Sequence, residues 1–254
     1  MNQYALFKSL HKQDAPLLLG NAWNVSSARV LQDSGITAIG TSSSAIADTL
    51  GYEDGEQISF DELFFVIEKI SRHVRVPLSA DIERGYSADQ VQVVKHLERL
   101  HDIGVVGINL EDSVVGDSRV LEPLDVFCRR LEFIRNELSR KNIDLFINAR
   151  TDTYLLNVPN RLQETLLRMK AIENAGADGI FVPFIYNLTE IREVTAATTL
   201  PVNVLSMQGL PSFDALQGAG VKRISMGGSA YRAANNCLKN VIGKIVEQGS
   251  FANL

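Results

Sequence analysis

The sequence predicts an α/β fold, a (β/α)8 TIM barrel in one domain over residues 1–254, and three observations lead to it. The chain has 254 residues, which is within the usual range of one barrel. One sequence pattern occurs four times, beginning at Asp33, Asp102, Asn174 and Gly218. In each copy a glycine ends a predicted helix and a short apolar run follows it. Apolar runs alternate with helical segments, centred near Leu18, Ile39, Leu78, Ile108, Phe146, Phe181, Val204 and Ile224.

The competing architecture is a doubly wound open sheet. Such a sheet normally has a Gly-rich first turn that binds a nucleotide, whereas the first turn here, GNAWNVSS, carries one glycine. Helix starts are marked by two predicted capping boxes, Ser59 with Glu62 and Ser87 with Gln90. We expect an N-terminal helix over residues 1–12 and a last helical segment over 229–248.

The charge and hydropathy of the sequence indicate which classes of binding partner to expect. The chain has 25 Lys and Arg against 30 Asp and Glu, a net charge of −5, so no general field attracts nucleic acid or anionic lipid. No signal peptide opens the sequence, and its apolar runs, such as Leu17–Leu19, are too short to span a bilayer. The sequence therefore predicts a cytoplasmic protein that binds a small molecule, with no nucleic-acid or membrane partner.

Carboxylates follow two neighbouring strands at the points where those strands end. The third strand runs into Asp81 and Glu83, which alternation places on the same side, and the fourth runs into Glu111. Catalytic groups of barrels sit at these strand ends, and like charges held close together favour a bound cation. Oxygen ligands of this kind predict Mg²⁺, with Mn²⁺ as an alternative. The competing interpretation is that these acids are helix caps or solvated loop charges.

The next strand around the barrel ends in Arg150, whose guanidinium can bind a carboxylate or phosphonate in bidentate fashion. A structural ion pair with Asp152 or Glu111 is the alternative. The second strand ends in Gly40–Ser44, where small residues let backbone N–H groups approach an anion.

Five motifs together resemble the isocitrate lyase/phosphoenolpyruvate mutase superfamily: GTSSSAIADTLGYED, LSADIERGYS, GINLEDS, INARTD and GVKRISMGG. They occur in the order of that family from about Gly20 to Ala230, and so cover nearly the whole chain. The resemblance implies a barrel whose eighth helix is swapped onto a neighbouring subunit, in a homotetramer built as a dimer of dimers. The segment 229–248 suits that role, because its apolar residues form a helical stripe that needs a partner surface.

The resemblance also implies the roles of individual residues. Mg²⁺ would be held by the acids Asp81, Glu83 and Glu111. The substrate would meet Ser42, Ser43, Arg150 and Asn203, and the catalytic groups would be Arg150 and the loop acid Asp54.

The sequence departs from the lyases of this family in two places. The loop over residues 113–119 reads SVVGDSR and lacks the cysteine of their Lys-Lys-Cys-Gly-His motif. Pro183 stands near the position of their glutamate after the sixth strand. The same loop offers Asp117, Ser118 and Arg119, where phosphonopyruvate-handling members have a lysine and an asparagine or threonine.

The sequence therefore predicts a Mg²⁺-dependent lyase or decarboxylase. It would cleave a C–C bond of a small 2-oxo or 2-hydroxy dicarboxylate resembling oxaloacetate, through a pyruvate enolate that the metal stabilises. The first alternative is P–C bond chemistry, as in phosphoenolpyruvate mutase or phosphonopyruvate hydrolase. The second is a non-catalytic family member that binds an oxo acid.

Overall fold

The computed structural model describes residues 2–251, in which eight parallel strands close into a barrel. The strands of the described chain are β1 (Leu17–Ala22), β2 (Ile39–Thr41), β3 (Leu78–Asp81), β4 (Val105–Glu111), β5 (Ser113–Val115), β6 (Arg119–Leu121), β7 (Phe146–Arg150), β8 (Gly179–Val182), β9 (Val202–Leu205) and β10 (Arg223–Ser225). The order around the barrel is β1-β10-β9-β8-β7-β4-β3-β2, and β5 and β6 form a separate antiparallel hairpin. Each predicted strand centre falls inside a barrel strand, so the predicted fold class is confirmed.

Helices follow the strands and cover the outside of the barrel. They are α1 (Gln3–Leu10), α2 (Val25–Asp33), α3 (Ser43–Thr49), α4 (Phe60–Ser71), α5 (Gln90–Asp102), α6 (Leu124–Arg140), α7 (Arg161–Asn174), α8 (Leu188–Ala196), α9 (Phe213–Gly218) and α10 (Ser229–Gln248). The capping box of Ser59 and Glu62 is confirmed at the start of α4. The one predicted for Ser87 and Gln90 is wrong, because Asp89 caps α5 by accepting from the Val91 N–H at 2.9 Å.

The strands divide their side chains between an apolar outer layer and a polar interior. Ile108 and Leu110 of β4 are fully buried in the apolar core. Asn109, which lies between these two residues, and Glu111, which follows them, instead contact polar side chains on neighbouring strands. This alternation of period two is why residues at the strand ends converge on the barrel axis.

Helix α1 packs over the N-terminal end of the barrel. Phe146, the first residue of β7, meets Phe7 edge to face at a ring-centroid distance of 5.4 Å and stacks with His11 at 4.5 Å. Leu17, the first residue of β1, belongs to the same apolar cluster. This end is therefore closed by packing, and the opposite end carries the loops that follow the strands.

Helix α10 has the predicted bounds 229–248, and none of its residues is buried. Leu238, Ile242 and Val246 expose half or more of their surface. Across residues 2–251, no helix combines the length and the apolar character that a bilayer span needs.

Candidate active site

A cavity of about 410 Å³ opens at the C-terminal ends of the barrel strands, where barrel enzymes carry their active sites. Its lining includes Ser42, Ser43, Asp54, Asp81, Asn109, Arg119, Arg150, Phe181, Pro183, Ser225 and Arg232. A cleft of about 570 Å³ lies at the other end of the barrel beside α1, and none of the predicted site residues lines it. Most of the predicted site residues therefore line the smaller cavity, whereas Glu83, Glu111 and Asn203 do not.

Asp81 is the last residue of β3 and is held by the first residue of α3, just beyond the end of β2. The N–H and the hydroxyl of Ser43 donate to Asp81 Oδ2 at 3.3 and 2.8 Å. On the other side, Asn109 Nδ2 lies 3.5 Å from Asp81 Oδ1. The hydroxyl of Ser43 is thus committed to Asp81, which leaves Ser42 as the freer of the two predicted serine contacts.

Glu83 lies in a turn beyond the end of β3, so strand alternation does not set its direction. Its backbone has a φ of +49°, and Tyr86 Oη donates to its Oε1 at 2.7 Å. Its Oε2 is buried without a hydrogen-bond partner, and the residue lines a second cavity of about 300 Å³ together with Glu111. Burial, with the nearby charges of Asp54 and Glu111, raises the pKa of Glu83 to about 8.

Glu111, the last residue of β4, is held between two guanidinium groups. Arg119 Nη1 contacts its Oε1, and Arg150 Nη1 lies 2.9 Å from its Oε2. Burial raises the pKa of this carboxyl in spite of both cations. The carboxylate is therefore costly to keep charged in the absence of its cationic neighbours.

Arg150 forms both of the structural ion pairs that the sequence left open. Its Nε and Nη2 donate to Asp152 at 2.6 and 3.2 Å, and its Nη1 contacts Glu111. The hydrogen bonds to Asp152 use two of the five N–H groups of the guanidinium, and the contact with Glu111 is an ion pair without hydrogen-bond geometry, so donors remain for a ligand. The residue lines the cavity, and structural pairing and ligand binding are compatible here.

The remaining predicted site residues, Ser42, Asp54 and Asn203, differ in whether they reach the surface of the cavity. Ser42 lines the cavity and caps α3, where its Oγ accepts from the Ala45 N–H at 3.4 Å. Asp54 lines the cavity from the loop between α3 and α4, and burial raises its pKa. Asn203 is fully buried and does not line the cavity; its Nδ2 donates to Ser225 Oγ at 2.9 Å.

The loop over residues 113–119 belongs to the hairpin of β5 and β6. Arg119 on β6 reaches Glu111, lies 3.3 Å from Asp54 and lies 3.5 Å from Asp152. It therefore bridges the two sides of the cavity mouth. The sequence motif indicated that this loop was unusual, but a single arginine in it gave no signal of these three contacts.

Several cavity residues, among them Asn109 and Arg232, were not predicted from the sequence. Asn109 is the inward-facing residue of β4 between two apolar neighbours, and its spacing of two from Glu111 was an available signal. Arg232 on α10 lines the cavity from a helix that the sequence linked only to subunit contacts, and nothing in the pattern indicated this role.

The residues present fit a Mg²⁺ ion with few direct protein ligands. The donors are hard oxygens, and the buried Glu83 Oε2 has no partner. The pKa of Glu83 is raised by burial first and by the charges of Asp54 and Glu111 second, and a bound cation would favour the charged carboxylate against both. Within residues 2–251, however, no three His, Cys, Asp or Glu side chains form a ready metal cage. Mg²⁺ commonly binds through one or two carboxylates and keeps several waters, which suits this geometry.

Comparisons with known proteins agree with this architecture. A curated protein of Mycobacterium tuberculosis is 33% identical over 227 residues, covering 89% of this chain and 83% of its own length. The oxaloacetate decarboxylase of Pseudomonas paraeruginosa is 27% identical, over 95% of this chain and 86% of its own. A crystal structure from Burkholderia cenocepacia, provisionally described as a phosphonomutase, is 36% identical with a TM-score of 0.89, covering 95% and 99%.

A family model described as phosphoenolpyruvate phosphomutase matches residues 7–246, almost the whole chain. The match extends from α1 through all eight barrel strands to the last turn of α10. With the barrel and the position of its cavity, it shows that this chain belongs to the phosphoenolpyruvate phosphomutase family, within the isocitrate lyase/phosphoenolpyruvate mutase superfamily of lyases and mutases.

Proposed function

We propose that this chain is a Mg²⁺-dependent lyase or decarboxylase that cleaves a C–C bond of a small 2-oxo or 2-hydroxy dicarboxylate, with oxaloacetate as the first substrate to test. The observation that carries the proposal is a single cavity whose wall joins the acid Asp81 to the arginines Arg119 and Arg150. Acids suit a divalent cation, and arginines suit the carboxylates of a substrate.

Asp81, Glu83 and Glu111 would hold the Mg²⁺ ion. When bound, the ion polarises the 2-oxo group of the substrate and so favours the departure of the neighbouring group. Glu111 already contacts two arginines, Arg119 and Arg150. Its carboxylate can therefore bind the ion only as far as those arginines move away from it.

The chain's own residues would hold and orient the dicarboxylate. Ser42 and Ser43 at the start of α3 would face one carboxylate, with the Ser42 hydroxyl as the donor while that of Ser43 stays on Asp81. The N–H groups of Arg150 that Asp152 does not use would face the other carboxylate. Asn203 would act on the substrate indirectly, because it holds Ser225 at the cavity surface.

Decarboxylation of oxaloacetate breaks its C3–C4 bond, releases CO₂ and leaves the electron pair on C3 as an enolate, which then takes a proton. Asp54 would supply that proton, since burial raises the pKa of its carboxyl and it faces the cavity. Leu205, Phe181 and Pro183 form an apolar part of the wall that limits access of water.

Chemistry at a P–C bond is the second candidate. The contact of Arg119 with Asp54 across the cavity mouth favours it, because a guanidinium there can meet a phosphonate group. The 36% identical Burkholderia protein also points this way.

A substrate panel separates the two candidates. Purified protein with Mg²⁺ would be given oxaloacetate, methylisocitrate, dimethylmalate and phosphonopyruvate, and pyruvate, inorganic phosphate and phosphoenolpyruvate would be measured. Pyruvate without phosphate supports the lyase. Pyruvate with phosphate from phosphonopyruvate supports a hydrolase instead, phosphoenolpyruvate from phosphonopyruvate supports a mutase, and formation of none of the three products contradicts both candidates.

A further inference from the structure

Arg223 is a buried cation on the barrel axis that makes no ion pair, although the charge of Asp81 acts on it from a distance. It begins β10, is 1% exposed and is the bulkiest of the fully buried side chains in residues 2–251. Its Nε donates to Ser225 Oγ and its Nη2 to Asn109 Oδ1, both at 3.2 Å. Its Nη1 has no hydrogen-bond partner, and no described carboxylate lies within 4 Å of the guanidinium.

A contribution to the stability of the fold does not explain why an arginine occupies this buried position. Burial lowers the pKa of Arg223 to about 9, which reflects how poorly the barrel interior solvates the charge. Branched apolar side chains usually fill this layer of a barrel and would avoid the desolvation penalty.

One consequence of Arg223 is a fixed orientation of Asn109 at the floor of the cavity. Asn109 Oδ1 accepts from Arg223 Nη2 and from Asn148 Nδ2, the latter at 2.9 Å. A flipped amide would set its NH₂ group against these two donors, so the Nδ2 of Asn109 is directed towards Asp81.

The second consequence is a fixed Ser225. Its Oγ accepts from Arg223 Nε and from Asn203 Nδ2, and its own hydrogen goes to Asn203 Oδ1 at 3.2 Å. Asn109 and Ser225 both line the cavity, so one buried guanidinium fixes two parts of its polar floor.

We propose that Arg223 is a positioning residue for anion binding: it fixes the floor through Asn109 and Ser225, and its unpaired charge attracts a small dianion into the cavity. The charge acts through a dry interior, where the screening that weakens surface charges is small. The choice of a small dianion as the ligand rests on the proposed function, whereas the effect of the Arg223 charge on anion binding can be tested separately.

The test measures binding rather than turnover. Oxalate, a small planar dianion, would be titrated calorimetrically into the full chain with excess Mg²⁺, and Mg²⁺ would be titrated alone. The variants are Arg223→Gln, which removes the charge but keeps hydrogen-bonding groups, and Arg223→Lys, which keeps the charge without the planar fork. Val204→Ala, in the apolar layer of β9, is the control for lost packing.

Arg223→Gln is expected to weaken oxalate binding on the order of tenfold or more while Mg²⁺ affinity stays equal or rises, because the lost charge attracts anions and repels cations. A merely structural role would weaken both ligands, as damage to the site would. An unchanged oxalate affinity in Arg223→Gln, or parallel losses of both affinities, would overturn the inference. Failure of the wild-type protein to bind oxalate would instead contradict the proposed function, and the inference with it.

Arg223→Lys carries the test if the glutamine variant does not fold. A buried lysine titrates at a much lower pH than arginine, so its oxalate affinity should fall as the pH rises from 6 to 9. The wild-type affinity, measured over the same range, should fall less. Parallel curves for the two proteins would overturn the role of the charge.

Discussion

At the scale of single residues, the site is governed by how its acids are paired. Asp81 receives the N–H and hydroxyl of Ser43, and Glu111 contacts two arginines. Glu83 retains a buried oxygen with no partner. The acids are thus held in place before any ligand arrives, which is the preorganisation that binding and catalysis require.

Replacing Asp81 tests the metal assignment. Asp81→Ala should weaken Mg²⁺ binding by about a hundredfold or more, because Asp81 is the proposed metal ligand that lines the main cavity. Turnover should be lost with it. Isothermal titration calorimetry measures the affinity, and Asp214→Ala, an exposed acid on α9, is the matched control. Full activity in Asp81→Ala would refute the assignment.

Arg150 should matter for both stability and substrate binding. Arg150→Ala leaves Glu111 and Asp152 with less positive charge in a buried setting, which should lower the free energy of unfolding by about 3 kcal/mol. Arg150→Lys should recover more of that stability than of the substrate affinity, because it keeps the charge but loses the fork. Urea unfolding and KM measure the two effects. Equal recovery of both by lysine would argue against a bidentate substrate contact.

At the scale of elements, the helix that closes the N-terminal end of the barrel carries a titratable group. His11 Nδ1 donates to the Phe7 carbonyl at 2.8 Å, and its Nε2 is buried without a partner. Burial, together with the nearby charge of Arg223, lowers the pKa of His11 to about 3. The folded protein therefore keeps this imidazole neutral.

Acid should weaken the fold through His11. The unfolded chain protonates it near pH 6.5 and the folded chain near 3, so the unfolded state binds the additional proton between these values. Stability from this group is full above pH 6.5 and should fall by about 2–3 kcal/mol as the pH drops to 4.5. Comparing urea unfolding of the wild type and His11→Gln isolates this contribution, and identical pH slopes would contradict it.

Regular elements were predictable from the sequence, and irregular ones were not. The barrel strands follow from short apolar runs, and Asp81, Glu111 and Arg150 follow from where those strands end. The direction of the Glu83 side chain could not be predicted from strand alternation, because this residue has a positive φ and lies outside the strand. The hairpin of β5 and β6 also escaped it, because seven residues with a central Gly-Asp-Ser read equally well as a plain loop.

Contacts across the barrel were beyond the reach of the sequence. The pairing of Arg119 with Glu111 depends on the hairpin folding back over the site, and that of Arg223 with Asn109 joins residues 114 positions apart in the chain. Neither spacing nor composition reports on such contacts, which is why Arg223 had no predicted role.

At the scale of the whole molecule, the exposed apolar side chains of α10 predict an oligomer. Leu238 and Ile242 are 60% and 50% exposed on a helix without a buried residue. We expect a homotetramer by light scattering, and Leu238→Asp with Ile242→Asp should yield a smaller species. Lys239→Asp on the same helix is the control. A wild-type chain that is monomeric at micromolar concentration would contradict the expectation.

The central claim is metal-dependent cleavage of an oxo acid in this cavity, and a coupled assay for pyruvate tests it most directly. Oxaloacetate would be supplied with Mg²⁺, with and without EDTA, and the rate with the Asp81→Ala protein would be subtracted as the background of free Mg²⁺. The account predicts pyruvate formation well above that background, its loss with EDTA and its recovery when Mg²⁺ is restored. Equal rates for the wild-type and Asp81→Ala proteins, together with no calorimetric binding of Mg²⁺, would contradict the account and favour a member of the family that binds an oxo acid without catalysis.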